Sequence, residues 1–481
     1  MQKRKNRRKT GWILCCLGAV AIGIGLVSLY MAGNVLAAPE DPAAEAVMRA
    51  FKEQEEASGG KETEVSPEDG QTQPAEEHTS QVQTQPAGPE KPAGPLLIMV
   101  DPGHGGLDEG CSWNEVTEKQ INLEIALLLK EKLEEKGYRV RLAREDDTYL
   151  AKEDRAVQAN RDRADAYISI HQNTWEDSAI EGIETWYDGS NPSRDSRRLA
   201  RLVHRYTVKK TGALDREAKE DPQLYVTRST EMPSCLIETG FLSNQKERGL
   251  LETEEYREKI AEGIAEGVDL FFHPKTMYLT FDDGPSAENT VEVLDILKEK
   301  NVKATFFVVG ESVRKHPEVA RRIVAEGHTI GIHCNNHAYE TVYESADSYI
   351  KDFEEADKAV REVTGVEAVF FRFPGGSINS YNKAVREEII EKMTEKGYVY
   401  FDWNASLEDA VKNPDPQKLI ENGVQTTLGR KKVVMLAHDV VHSTALCLEQ
   451  LLDAFPEYEM RPLTEGVEPV QFHEKAEGLG S

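Results

Sequence analysis

The 481-residue sequence predicts two successive α/β domains behind an apolar N-terminal stretch and a polar linker. Three observations lead there. Short apolar runs of strand length alternate with stretches whose apolar residues recur at helical spacing, which is the pattern of largely parallel sheets covered by helices. The alternation is laid out twice, over residues 95–273 and 274–474, as expected for a chain longer than the roughly 250 to 300 residues one core holds. In both halves, residues with chemical potential stand where the apolar runs stop, and in α/β sheets that is where ligands bind. The formal net charge of −27 lacks the basic footprint a nucleic-acid partner requires.

Residues 1–37 open with Lys3, Arg4, Lys5, Arg7, Arg8 and Lys9, followed by an uncharged stretch over residues 11–36. That length spans a bilayer, and the basic cluster keeps the N-terminus cytoplasmic. The expectation is a single-pass membrane anchor with everything after it extracellular. Val35-Leu36-Ala37 also offers a small-residue cleavage site, which would give a secreted protein instead. Residues 38–94 are rich in Glu, Gln, Pro, Ala and Thr, too poor in apolar surface to offset ordering entropy. They read as a flexible linker with one short helix near residues 43–56. Cys15 and Cys16 lie in the apolar stretch, and Cys111, Cys235, Cys334 and Cys447 are scattered. Isolated thiols are expected, with a Cys111–Cys235 bridge left open.

The first domain begins with a strand at residues 95–100, and a helix over residues 118–136 buries Ile121, Ile125, Leu128, Leu129 and Leu133 and stops at Gly137. Strands at residues 138–142, 166–170 and 234–237 and a helix at residues 152–163 continue the pattern. His104, His171 and Glu238 follow three of the strands. Imidazole and carboxylate groups placed in parallel like this suit Zn²⁺ with a position left for water. The blocks Asp101-Pro-Gly-His-Gly-Gly106, Glu118-Lys119 with Asn122-Leu123, Ser169-Ile-His-Gln-Asn173, Gly182-Ile-Glu184 and Glu238-Thr-Gly-Phe-Leu-Ser-Asn244 resemble the zinc-dependent N-acetylmuramoyl-L-alanine amidases. The resemblance implies a mixed, mainly parallel sheet flanked by helices. It also implies zinc on His104, Glu118 and His171, with Glu238 activating water against the lactyl amide of muramic acid. Residues 111–117 lack the family's glycine.

The second domain reads as strands at residues 277–281, 304–308, 329–332, 369–371, 398–401, 433–436 and 458–463. Helices are expected at residues 290–300, 317–326, 348–364, 384–396 and 444–453. A closed barrel and an open seven-stranded sheet both fit. Asp282-Asp283, His333 and His337, Arg372, Asp402-Trp403 and His438-Asp439 stand at five strand ends. Adjacent carboxylates there call for a cation or a shifted pKa. These blocks resemble the polysaccharide deacetylases of chitin-deacetylase and nodulation type, which implies a distorted (β/α) barrel. The same resemblance implies a divalent metal, again Zn²⁺, on Asp283, His333 and His337, with Asp282 as general base and His438 as general acid. Arg372 would orient Asp282, and Asp402 would adjust His438. The departure is Cys334, where the family carries Ser or Thr; a thiol is the poorer donor, and it opens the prospect of weaker or softer metal binding.

Both implied reactions hydrolyse amides of the bacterial wall, so one substrate satisfies them: the glycan strands and stem peptides of peptidoglycan. The expected function is a bifunctional hydrolase that cleaves the MurNAc–L-Ala amide and removes N-acetyl groups from GlcNAc or MurNAc. The alternatives are an amidase whose deacetylase is impaired through Cys334, or a wall-binding scaffold with both centres dead. No protein partner is predicted.

Overall fold

A computed structural model describes residues 94–473. The expected anchor and linker helix lie outside the described residues, and among these no helix is long and apolar enough to cross a membrane.

In the first domain β1 (Leu97–Pro102) is buried along its whole length, as an unbroken apolar run covered on both faces requires. A hairpin of β2 (Ser112–Trp113) and β3 (Val116–Thr117) leads into α1 (Glu118–Glu135). Ile121, Ile125, Leu129 and Leu133 face the core, and Gly137, at φ +90°, terminates the helix. There follow β4 (Arg139–Leu142), α2 (Lys152–Asp162), β5 (Ala166–Asn173), β6 (Ile183–Tyr187) and α3 (Ser196–Thr211). β7 (Asp215–Glu220), α4 (Tyr225–Ser229), β8 (Ser234–Phe241), α5 (Gln245–Leu251) and α6 (Glu254–Phe272) complete the domain. The sheet order is β4-β1-β5-β8-β6-β7. It is parallel except where β6 runs against β8, so the mixed sheet is as expected. β5 and β8 both run past the apolar residues that mark them in the sequence, and His171 pairs directly with Glu238. The two groups are neighbours within the ladder rather than members of separate loops.

The second domain contains β9 (Lys275–Asp282), α7 (Asn289–Glu299), β10 (Thr305–Val309), α8 (Gly310–Lys315), α9 (Pro317–Ala325) and β11 (Thr329–Cys334). Next come α10 (Tyr339–Val342), α11 (Ala346–Thr364), β12 (Phe370–Phe371), α12 (Arg386–Glu395), β13 (Val399–Tyr400) and β14 (Ala405–Ser406). The last elements are α13 (Pro416–Thr427), β15 (Lys432–His438), α14 (His442–Asp453) and β16 (Tyr458–Met460). Strands pair in the order β13-β12-β11-β10-β9-β15-β14, with β16 added beside β9. Every pairing is parallel. The ladder stays open between β13 and β14, so the domain is a parallel half-barrel and not a closed one. Its helices enclose a core built from Phe281, Phe306, Val308, Ile332, Phe353 and Phe371.

The two domains belong to one compact unit. Only His273 and Pro274 separate α6 from β9. Arginines on α3 close the seam: Arg198 donates to the carbonyl of Pro456, Arg201 to that of Asp453 and Arg205 to that of Ala454, while Arg198 also donates to the carbonyls of Leu270 and Phe271 at the end of α6. Carbonyls at a helix C-terminus lack partners within the helix, and the end of α14 finds them on the other domain.

Candidate active sites

At the end of β1 the chain turns sharply, and His104 adopts φ +62°, a left-handed backbone uncommon for non-glycine residues. Two buried arginines fix this turn. Arg144 donates to the carbonyls of Pro102 and Gly103, and Arg155 to those of Pro102 and His104 while pairing with buried Asp101. Glu118, the first residue of α1, reaches into the same space. Its Oε1 lies 2.9 Å from His171 Nδ1 and 3.2 Å from His104 Nε2, and its Oε2 accepts from the Cys111 amide. The donor atoms of His104, Glu118 and His171 all lie within 4.8 Å of one another.

Burial works against charge on these groups, but the histidines outweigh it and hold Glu118 far below the carboxylate range. His104 is likewise lifted to about 9 by Glu118 and Asp108, against its own burial. A carboxylate clamped between two imidazoles is what a cation would replace protons in. Beside it, Glu238 has a buried Oε2 without a hydrogen-bond partner. Burial, with the charges of Glu118 and Glu184 adding to it, pushes this carboxyl up to about 7. Glu184 is itself anchored by Arg216, Lys219 and Asn173.

In the half-barrel, Asp282 ends β9 and Asp283 follows it, His333 lies near the end of β11, and His438 ends β15 in register with Asp282. Asp283 and His337 take φ +78° and +57°, repeating the backbone strain seen at His104. Both His333 Nε2 and His337 Nε2 lie 3.4 Å from Asp283 Oδ1, an atom that is buried with no hydrogen-bond partner. His333 Nδ1 is 2.9 Å from the Arg372 carbonyl, which turns Nε2 toward Asp283. Burial lowers the pKa of His333 to about 3, leaving a neutral ring as a metal requires. An orphaned carboxylate oxygen facing two imidazoles fits a divalent cation.

Arg372 is fully buried and divides its donors among Asp282, Thr280 and the carbonyls of Phe401 and Asp402. Asp282 is raised by its burial, with Arg372 and His438 pulling the other way.

The expected Asp402–His438 link does not exist. The Asp402 carboxylate accepts from the amide and hydroxyl of Ser377 and from the Phe472 amide, so it ties down the loop after Arg372 and the C-terminal segment. The partner of His438 is Asp409, 2.7 Å from Nδ1, whose other oxygen takes the His438 amide and Thr444. Burial would lower His438, but Asp409, helped by Asp282 and Asp283, raises it to about 9. Asp409 follows no recognisable strand in the sequence, and the family resemblance alone places Asp402 in that role. Cys334 is buried and stands outside the Asp283, His333 and His337 donor group. The four described cysteines are free, so no Cys111–Cys235 bridge forms.

With this geometry in place, comparison with known proteins is informative. The profile of N-acetylmuramoyl-L-alanine amidases matches residues 98–269, and that of polysaccharide deacetylases matches residues 272–399. An uncharacterised Bacillus subtilis protein, YqiI, is 37% identical over 175 residues, covering 36% of this chain and 84% of its own length. The N-acetylmuramoyl-L-alanine amidase LytC of the same organism is 34% identical over 36% of this chain, and the match spans 35% of LytC. The catalytic domain of a peptidoglycan N-acetylglucosamine deacetylase from Eubacterium rectale is 31% identical, with TM-score 0.40, over 42% of this chain and 93% of that one. The chain therefore belongs to the N-acetylmuramoyl-L-alanine amidase family and carries a polysaccharide deacetylase domain behind it, a bifunctional hydrolase of peptidoglycan-modifying type.

Proposed function

We propose that the chain acts on peptidoglycan outside the cytoplasmic membrane, its first domain freeing stem peptides from muramic acid and its second removing acetyl groups from GlcNAc or MurNAc. The observation that carries this is the repetition in each domain of two histidines and one carboxylate around a common point, with a further buried carboxylate beside them. Both donor sets suit zinc, with three protein ligands and a place for water. A cation there would lower the pKa of water to about 7 and polarise the scissile carbonyl.

The chain's own groups handle the protons. Glu238, with its unpaired Oε2, accepts a proton from the attacking water and returns it to the departing amine. In the second domain the two roles are split: Asp282, aligned by Arg372, takes the proton, and His438, aligned by Asp409, protonates the sugar amine as it leaves. The uncharged residues 11–36 would hold both domains at the membrane, or would be removed near Ala37.

Mass spectrometry of muropeptides, after purified peptidoglycan is incubated with the full chain, tests the assignment. The expected products are free stem peptides and sugars lighter by one acetyl group. His104→Ala should abolish only the first, and Asp282→Ala only the second. Peptide release that survives His104→Ala, or acetyl loss that survives Asp282→Ala, would overturn the corresponding half.

A further inference from the structure

His333 and His337 face the same oxygen of Asp283, yet they are held in different ways. The His333 ring is fixed through its own Nδ1 on the Arg372 carbonyl. Among the described residues no group does this for His337 Nδ1, and that half-exposed ring meets Tyr339 at right angles, 5.0 Å between centroids. A metal-binding imidazole ordinarily owes its direction to a hydrogen bond on its other nitrogen. For His337 the task falls to the backbone that carries it, which is left-handed at φ +57°.

That backbone is gripped from two helices. On α11 the Asp352 carboxylate accepts from the Asn335 amide at 2.6 Å and from the Asn336 amide as well. On α8 the Glu311 amide donates to the Asn335 carbonyl, and Arg314 donates both to Asn335 Oδ1 and to the Glu355 carbonyl of α11. The Ala338 amide closes the turn on Asn336 Oδ1. A Cβ on Gly310 would lie 2.6 Å from Asn335 Oδ1 and 2.7 Å from Ala356 Cα, so turn and helices are pressed together. Inside the turn the His337 amide is directed at the sulfur of buried Cys334, and sulfur accepts a hydrogen bond only weakly. A carboxylate accepting from backbone amides makes bonds roughly twice as strong as neutral ones.

We propose that Asp352 is a positioning residue for His337, whose carboxylate holds the turn from His333 to His337 where Cys334 bonds it poorly, so that cysteine at position 334 leaves the donor group intact. This rests on the metal reading of the half-barrel site. Asp352 stands outside the Asp283, His333 and His337 group and acts on it through the Asn335 and Asn336 amides. Two supports of one turn are not independent, so substitutions at 334 and 352 are coupled in their effect.

The test is competition for Zn²⁺ between a chelating dye and the full chain carrying His104→Ala, which leaves the half-barrel site to titrate. Asp352→Ala in that background should weaken zinc binding about tenfold. Adding Cys334→Ser should recover about threefold of the loss, whereas Cys334→Ser alone should change affinity by less than about twofold. Should Asp352→Ala not fold, as near-ultraviolet circular dichroism reads, Asp352→Asn takes its place; it keeps the shape and one acceptor oxygen, and a loss of about threefold is expected. Zinc affinity that ignores the substitution at 352 overturns the positioning role and leaves the metal reading standing. Cys334→Ser acting equally with and without Asp352 overturns the compensation. Failure of the His104→Ala parent to bind zinc at all sinks the metal reading and the proposal with it.

Discussion

His438 can donate a proton only while it holds one, and Asp409 extends the range over which it does. Its pKa of about 9, against about 6.5 for a free imidazole, keeps the acid form present well above neutrality. Asp409→Asn removes the hydrogen bond and the charge together. The alkaline limb of the acetate-release profile should then move toward lower pH, with kcat reduced at least about tenfold, as pH–rate measurements will read. Asp402→Asn should leave that limb in place, because its carboxylate holds Ser377 and Phe472. The same shift has a stability consequence. A folded pKa above the unfolded one contributes stability fully present below about pH 6.5 and lost as pH rises through about 9. In the first domain, Glu238→Gln should cost about 10² to 10⁴ in peptide release while the capacity to bind a divalent metal, read by metal analysis, stays unchanged, since Glu238 is not one of the three grouped donors.

Helix packing provides a prediction of its own. On α6, Gly263 and Gly267 sit one turn apart, and a Cβ at either would meet α3 backbone, at 2.5 Å from Thr207 Cα and 2.6 Å from Val203 Cα. Helix propensity alone favours alanine over glycine by roughly 0.5 to 1 kcal/mol. Overpacking against backbone that cannot swing aside costs about 1 to 3 kcal/mol, so Gly263→Ala or Gly267→Ala should lower the Tm in a calorimetric melt. The legibility of these elements in the sequence varied for physical reasons. β1, α1, β9, β10 and β15 carry apolar patterns that only a covered strand or an amphipathic helix explains, and the six grouped His, Asp and Glu donors, together with Glu238, Asp282, Arg372 and His438, lie at or just beyond such patterns. β7, reading Asp-Arg-Glu-Ala-Lys-Glu, is an edge strand with almost no apolar content, and β14 is two residues long. α3 spends its arginines on the other domain, which in sequence looks like a solvated face. The left-handed backbone of His104, Asp283 and His337 leaves no trace in residue type at all.

Across the whole molecule, the seam is held by geometry more than by charge. Ion pairs across it, such as Asp453 with Arg197 and Arg201, are partly exposed and individually worth little. The carbonyls capped by Arg198, Arg201 and Arg205 would otherwise face a domain boundary unsatisfied. Replacing the three arginines with alanine should split a single cooperative melt into two, one per domain, while each retains its activity on separate substrates. A chain whose two chemistries were strung on a slack tether would scatter its products at random along a polymer. Here α6 hands over to β9 across two residues, His273 and Pro274, so a strand that reached both proposed centres would lose its peptide and its acetyl group at a fixed spacing.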